Sequence, residues 1–262
     1  MQFATWNVNS LNIRLPQVLD WLVANPVDVL ALQELKMADD KFPAEAFKEA
    51  GWQAVWHGQK TYNGVALISK TPAQDVVKNN PLFEDDHARL IAGTFGEGAQ
   101  AVRVIGGYFP NGQAPESDKF AYKMHWMKAL RQWVSQEIAK HPRFLIMGDY
   151  NITFGPEDTY SPETLEGTIH CTPEEREQLQ GLIQLGLHDA LRMFAPGPKV
   201  YTWWDFRNLA FRKNQGYRID HILVSDALRD AATDCVVDKS PRKNDRPSDH
   251  TPVILTVITA SR

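Results

Sequence analysis

Short apolar runs of strand length recur along the whole chain, and most of them end on an oxygen-bearing side chain. Phe3–Asn7 is the first, and Val27–Glu34 the second. Gln53–His57, Val65–Ser69, Leu90–Phe95 and Val102–Phe109 follow, then Phe144–Met147 leading into Gly148-Asp149-Tyr150-Asn151. The last third returns to strands at Val200–Trp204, Ile219–Val224, Cys235–Val237 and Pro252–Ile258. Between them lie amphipathic helices. One carries Leu15, Val18, Leu19 and Leu22 at helical spacing, with Pro16 placed near its start. The longest runs from about Phe120 to about Lys140 and puts Phe120, Met124, Met127, Leu130, Val134 and Ile138 on one face. Another opens at Thr172-Pro173-Glu174-Glu175, a cap Thr with Glu three residues on. Strands outnumber helices, and neighbouring runs are close enough for hairpins. This pattern predicts mixed sheets with helices packed outside. With no linker or repeat in 262 residues, it also predicts one domain over 1–262.

Composition narrows the setting. Apolar residues make up 43%, enough for a sizeable core. No apolar run is long enough for a membrane helix. The first residues carry neither a basic n-region nor an apolar h-region, so no secretory leader is expected. Cys171 and Cys235 are the two cysteines, without a CxxC pair, which fits a reducing cytoplasm and leaves no thiolate zinc site. A net charge of −4 argues against coating nucleic acid through a general positive field.

The polar residues at the strand ends carry the chemistry. Asn7, Glu34, Tyr108, Asp149, Asn151, Asp220, Asp249 and His250 all fall where apolar runs meet loops. In layered α/β folds ligands gather there. Glu34, Asp149, Asp249 and Asn7 offer hard oxygens suited to Mg²⁺, with Mn²⁺ able to substitute. There is no HExxH, no Walker loop and no GxSxG elbow. Cation, carboxylates and a histidine together suit attack of water on phosphorus. Taken singly, each residue is more often a turn former, a solvated acid or a satisfied histidine than part of a site, and it is their joint occurrence at strand ends that favours chemistry.

In order along the chain stand Trp6-Asn7-Val8-Asn9-Ser10-Leu11, Leu32-Gln33-Glu34-Leu35-Lys36, Tyr108-Phe109-Pro110-Asn111-Gly112, Gly148-Asp149-Tyr150-Asn151-Ile152, Arg218-Ile219-Asp220-His221 and Pro247-Ser248-Asp249-His250. These resemble the exonuclease III/AP endonuclease family of the endonuclease/exonuclease/phosphatase superfamily, nearly end to end. The resemblance implies a four-layer α/β sandwich of two packed mixed sheets flanked by helices. It implies a monomer acting on double-stranded DNA with damaged or free 3′ ends: 3′→5′ exonuclease, 3′-phosphatase or 3′-phosphodiesterase, with abasic-site incision in reach.

By the same resemblance Glu34 holds Mg²⁺, helped by Asn7, Asp249 and Asp149, with Asn151 and His250 beside it. Asp149 deprotonates the attacking water and Asn151 supports it. His250 contacts the scissile phosphate, Asp220 fixes its tautomer, and Tyr108 serves the phosphate or the leaving oxygen. Asn111, Lys36, Lys60, Arg89, Lys119, Lys123, Arg212 and Lys213 face the duplex. Trp203, Trp204, Tyr217 and Ile219 form the pocket for an extrahelical sugar, core packing being the other reading of the Trp pair. His170 stands where many relatives have a small residue, and is expected to favour 3′-end cleaning over internal incision. Two other readings share the residues: a lipid or inositol phosphatase on the same scaffold, and a DNA-binding module without turnover.

Overall fold

A computed structural model describes residues 1–259. The chain opens with β1 (Gln2–Asn7), α1 (Leu11–Ala24), β2 (Val29–Gln33), α2 (Ala44–Glu49), β3 (Gln53–His57) and β4 (Val65–Ser69). It continues through β5 (Gln74–Lys78), β6 (Leu90–Phe95), β7 (Val102–Tyr108), α3 (Asp118–Lys140) and β8 (Phe144–Asp149). Short α4 (Pro162–Leu165) and α5 (Pro173–Ile183) precede β9 (His188–Asp189), β10 (Trp203–Trp204) and β11 (Gly216–Tyr217). The chain closes with β12 (Asp220–Val224), α6 (Asp226–Ala231), β13 (Ala232–Val237) and β14 (Val253–Val257).

Two six-stranded sheets form, ordered β13-β14-β1-β2-β4-β3 and β5-β6-β7-β8-β12-β9. Each is mixed: β1 runs parallel to β2 and β7 parallel to β8, and the remaining pairs are antiparallel. Side chains alternate across these strands because the period of a strand is two. Phe3, Val29, Ala31, Val65 and Leu67 of the first sheet meet Ile91, Val104, Leu145, Met147 and Ile222 of the second in a central core. Ala4, Trp6, Leu30, Leu32 and Ile68 face outward, under Val18 and Leu22 of α1 and Phe47 of α2. On the other side Ile105, Phe144 and Ile146 pack under Met127, Leu130 and Val134 of α3 and Leu179 and Leu182 of α5. The order is helix, sheet, sheet, helix: the four-layer sandwich implied by the resemblance.

The same alternation places the polar ends. Asn7 is in phase with Phe3, Asp149 with Leu145 and Met147, and Asp220 with Ile222, so all three point between the sheets. Asp220 lies directly opposite Asp149, and Tyr108 pairs with Asp149 from the other side. Strict alternation would turn Glu34 outward. Its φ of +55° breaks the strand and releases it from that phase.

Several expected elements shift. Pro16 lies inside α1, which starts already at Leu11. A proline there removes one donor to the preceding turn, and tertiary packing of Leu11 and Val18 outweighs the loss. On α3, Met124 is half-buried, and Lys123 takes the buried place beside it. Of Val200–Trp204, Trp203 and Trp204 form strand, pairing with Tyr217 and Gly216 in a separate two-stranded ribbon.

Candidate active site

Glu34, Asp149 and His250 converge, with one ligand atom from each lying within 4.8 Å of the others, in a group that can hold a metal ion. Asn7 bridges the two acids: its Nδ2 donates to Asp149 Oδ2 at 2.9 Å and to Glu34 Oε2. Its Oδ1 is turned to the backbone N–H of Asn9, 2.9 Å away. His250 Nε2 lies 3.4 Å from Asp149 Oδ2, and His250 Nδ1 lies 2.8 Å from Asp220 Oδ2. The Asn151 N–H donates to Asp149 Oδ1 at 3.0 Å. Trp6 Nε1 donates to the His250 carbonyl, and Ser248 Oγ to that of Asn7, so the last strand is latched to the first. Asn9, Ser10, Glu34, Lys36 and Asn151 all hold positive φ around this centre, a concentration of strain of the kind found at functional sites.

Proton affinities are displaced here. Burial pushes the Asp149 carboxyl up to about 7, against the pull of His250 and the Asn7 hydrogen bond and with Asp220 and Glu34 adding to it. For His250 burial works against the charged ring, but Asp220, Asp149 and Asp249 outweigh it and hold the imidazole well above its ordinary range. The Tyr108 hydroxyl is driven far up by burial and by Glu34 and Asp149, so it stays protonated.

The donor set fits a hard cation: two carboxylates in reach of each other, amides around them, no thiolate. Asp249 stands one step back. Its Oδ2 accepts from Trp203 Nε1 at 2.9 Å and its Oδ1 from Asn9 Nδ2 at 3.2 Å. Lys36 Nζ donates to Asn9 Oδ1 at 2.7 Å and lies 3.6 Å from Glu34. Asn9 thus links Lys36 to Asp249. It lies inside the Trp-Asn-Val-Asn-Ser motif, two residues after Asn7, and that spacing is the signal that would have given it a role.

The residues expected to face DNA divide. Asn111, Lys119, Tyr108 and Arg89 line a cleft of about 730 Å³ that also takes in exposed Tyr62. Arg89 is only 8% exposed, stacked between the rings of Tyr108 and Tyr122 and donating to the Tyr108 carbonyl. It braces Tyr108 from behind. Lys60, Arg212 and Lys213 are exposed. Lys123 is fully buried and cannot touch a duplex, because its ammonium is spent on Glu175 and two carbonyls. Trp204 is also fully buried, in a small core with Tyr201 and Ala210, and leaves the sugar pocket. Trp203 stays half-buried, edge-on to Tyr217 at 5.3 Å, and Tyr217 is edge-on to His170 at 6.0 Å. Ile219 is buried.

The sequence matches the endonuclease/exonuclease/phosphatase family over residues 4–250. The chain belongs to this family. Within it, the chain is 35% identical to exodeoxyribonuclease III of Haemophilus influenzae, with 97% of this chain and 98% of that protein aligned. The structure of the 3′ phosphatase NExo from Neisseria bound to product DNA hairpin superposes with a TM-score of 0.96 at 47% identity, covering 99% of this chain and 100% of that one. An AP endonuclease from Archaeoglobus fulgidus superposes at 0.94 with 32% identity, over 99% of this chain and 100% of that one. The exonuclease III/AP endonuclease branch implied by the motifs is therefore the right one. No helix among the described residues is long and apolar enough to cross a membrane.

Proposed function

We propose that this chain is a DNA-repair nuclease of the exonuclease III type, hydrolysing phosphate esters at damaged or free DNA 3′ ends in a Mg²⁺-dependent reaction. The observation that carries this reading is the convergence of Glu34, Asp149 and His250, with Asp220 behind the histidine, at the shared end of both sheets. The 3′ phosphatase and exodeoxyribonuclease III relatives support the substrate. Glu34 and Asp149, with the Asn7 and Asn151 amides beside them and Asp249 one step back, would hold Mg²⁺ or Mn²⁺, whose charge would neutralise the entering phosphate, while His250, charged and donating through both ring nitrogens, would give the cation no ligand.

The chain's own groups supply the rest. Asp149, aimed by the Asn151 N–H, takes a proton from the water that attacks phosphorus. Charged His250, held by Asp220 through Nδ1, offers Nε2–H to the phosphate oxygens as negative charge grows. Tyr108 keeps its proton and donates it as a hydrogen bond to the phosphate or the departing oxygen. A new P–O bond forms to water oxygen as the bond to the leaving oxygen breaks. Trp203 and Tyr217 flank the terminal sugar, buried Ile219 backing them from the core, and Asn111, Lys36 and Lys119 hold the strand. Two free, buried cysteines support a reducing compartment.

The test is an initial-rate comparison on three labelled duplexes with Mg²⁺: an internal abasic analogue, a 3′-phosphate at a nick, and a recessed 3′ end. EDTA and Asp149→Ala serve as controls. Turnover that both controls abolish is the expected result. Turnover that survives Asp149→Ala removes the assigned base. Failure on every duplex with phosphate released from a soluble inositol phosphate would move the chain to the lipid and inositol phosphatases instead.

A further inference from the structure

Lys123 lies in the middle of α3 with no exposed surface. Its ammonium has three protons and no acceptor, and it finds three partners. Nζ donates to the Asn151 carbonyl at 2.8 Å, to the Asn111 carbonyl at 3.1 Å, and to Glu175 Oε2. Glu175 is itself fixed. Its Oε1 accepts from Thr172 N at 3.3 Å and Thr172 Oγ1 at 2.9 Å in the capping box that starts α5.

Helix packing alone does not explain a charge here. Phe120, Met127 and Leu130 on the same face are apolar, and a buried ion pair is often matched or bettered by apolar residues of similar size. What the ammonium adds is one donor shared by two loops: it serves the Asn111 carbonyl and is a second donor, beside His170 Nδ1, to the Asn151 carbonyl. Those carbonyls belong to the loops that leave β7 and β8, the strands ending on Tyr108 and Asp149. The loops are also tied to each other, because Asn151 Nδ2 donates to the Phe109 carbonyl at 2.9 Å. Gly112, at φ +88°, folds over the lysine stem, and a Cβ there would sit 3.0 Å from Lys123 Cδ.

We infer that Lys123 is a positioning residue: its buried ammonium clamps the backbones of Asn111 and Asn151 and thereby sets the two loops that carry the phosphate-side and water-side groups of the reaction. The kinetic part of this inference rests on the nuclease reading above. The clamp itself rests on the contacts alone.

Lys123→Met leaves Glu175 buried without its cation and endangers folding. The decisive variant is therefore Lys123→Met with Glu175→Gln, which removes both charges and keeps an amide for the cap. Two readouts are taken. Hydrogen exchange should accelerate at least about tenfold for the amides of Gln113, Asn151 and Thr153, while the β8 amides and the melting temperature stay near wild type. On the nicked 3′-phosphate duplex kcat should fall between about tenfold and a hundredfold with KM within about threefold, as expected of misplaced rather than missing groups. Unchanged exchange overturns the clamp, and kcat within about twofold of wild type overturns its role in the reaction even if exchange rises. An inactive wild-type chain would instead defeat the nuclease reading, while the exchange data still decide the clamp.

Discussion

His170 sits at φ +74°, a backbone that glycine adopts freely and a β-carbon makes costly. Its Nδ1 lies 2.7 Å from the Asn151 carbonyl, which can only accept, so Nδ1 carries the proton. Burial, with the charge of Lys123 behind it, pulls the ring down to about 3, so it is neutral at working pH and Nε2 is an acceptor. Its ring lies edge-on to Tyr217, which is edge-on to Trp203, so it borders the wall proposed above for the terminal sugar. A base-paired strand continuing past the cleaved phosphate needs more room than a strand end does. His170→Gly relieves the backbone and opens the wall. We expect the variant to fold, and to raise abasic-site incision relative to 3′-phosphate removal by about tenfold, the scale of one altered apolar contact. Paired initial rates on the two duplexes check this, and a ratio equal to wild type would sink the idea.

At the scale of elements, α5 shows how local chemistry serves the centre. Thr172 caps the helix, accepting from the Glu175 N–H, while the Glu175 side chain returns to the Thr172 N–H. Thr172→Ala should cost about 1–2 kcal/mol, as loss of a helix cap does. In a chain of this size that lowers the melting temperature by roughly 2–8 °C, readable by calorimetry. A variant melting with the wild type would show that the cap is not holding the helix. This cap was legible in Thr-Pro-Glu-Glu, as were β1, β2, β4, β7 and β8, because buried strands in a layered fold are runs of apolar residues with abrupt polar ends. Other elements left weaker marks. Strand β5 is largely exposed and reads Gln-Asp-Val-Val-Lys, and α2 and α6 have six residues each, too short for a periodic stripe. The ends of the strands singled out Asn7, Glu34, Asp149, Asp220 and His250, and the structure brings these side chains together. Burial of individual cations was not legible. Lys123 occupies the i+3 step from Phe120 on the apolar stripe, yet a lysine there reads as a solvated charge until its three acceptors are seen. Trp204 and Trp203 are adjacent, so a strand sends them to opposite sides, and the sequence alone does not say which one enters the core.

Across the whole molecule, a buried charge network ties the ribbon and the second sheet to the back of the centre. Arg218 donates to Asp158 at 2.8 Å and to Asp189 at 2.7 Å, and its NH1 lies 3.1 Å from His221 Nδ1. The guanidinium can only donate, so Nδ1 accepts, and Nε2–H donates to the Ile152 carbonyl at 2.7 Å, next to Asn151. Burial, seconded by Arg218, draws the His221 ring down to about 4 from its ordinary 6.5. The folded state therefore binds the proton less well than the unfolded chain does. Stability from this group is fully present above the unfolded value of 6.5 and is lost as pH falls through the folded value of about 4. The full loss is on the order of 3 kcal/mol. Asp149 and His170 titrate in the same window, so the share of His221 is read as the difference in urea-unfolding stability between wild type and His221→Gln, which should be flat above pH 6.5 and change as pH falls from there toward 4. In His221→Gln, which cannot titrate and keeps a donor for Ile152, that share of the loss is absent, so the decline should be shallower than in the wild type. An identical decline in both proteins would place the acid sensitivity elsewhere. A shallower one would mean that the loop behind Asp149 is held by a neutral imidazole, linking acid unfolding of the sandwich to loss of the geometry that carries its chemistry.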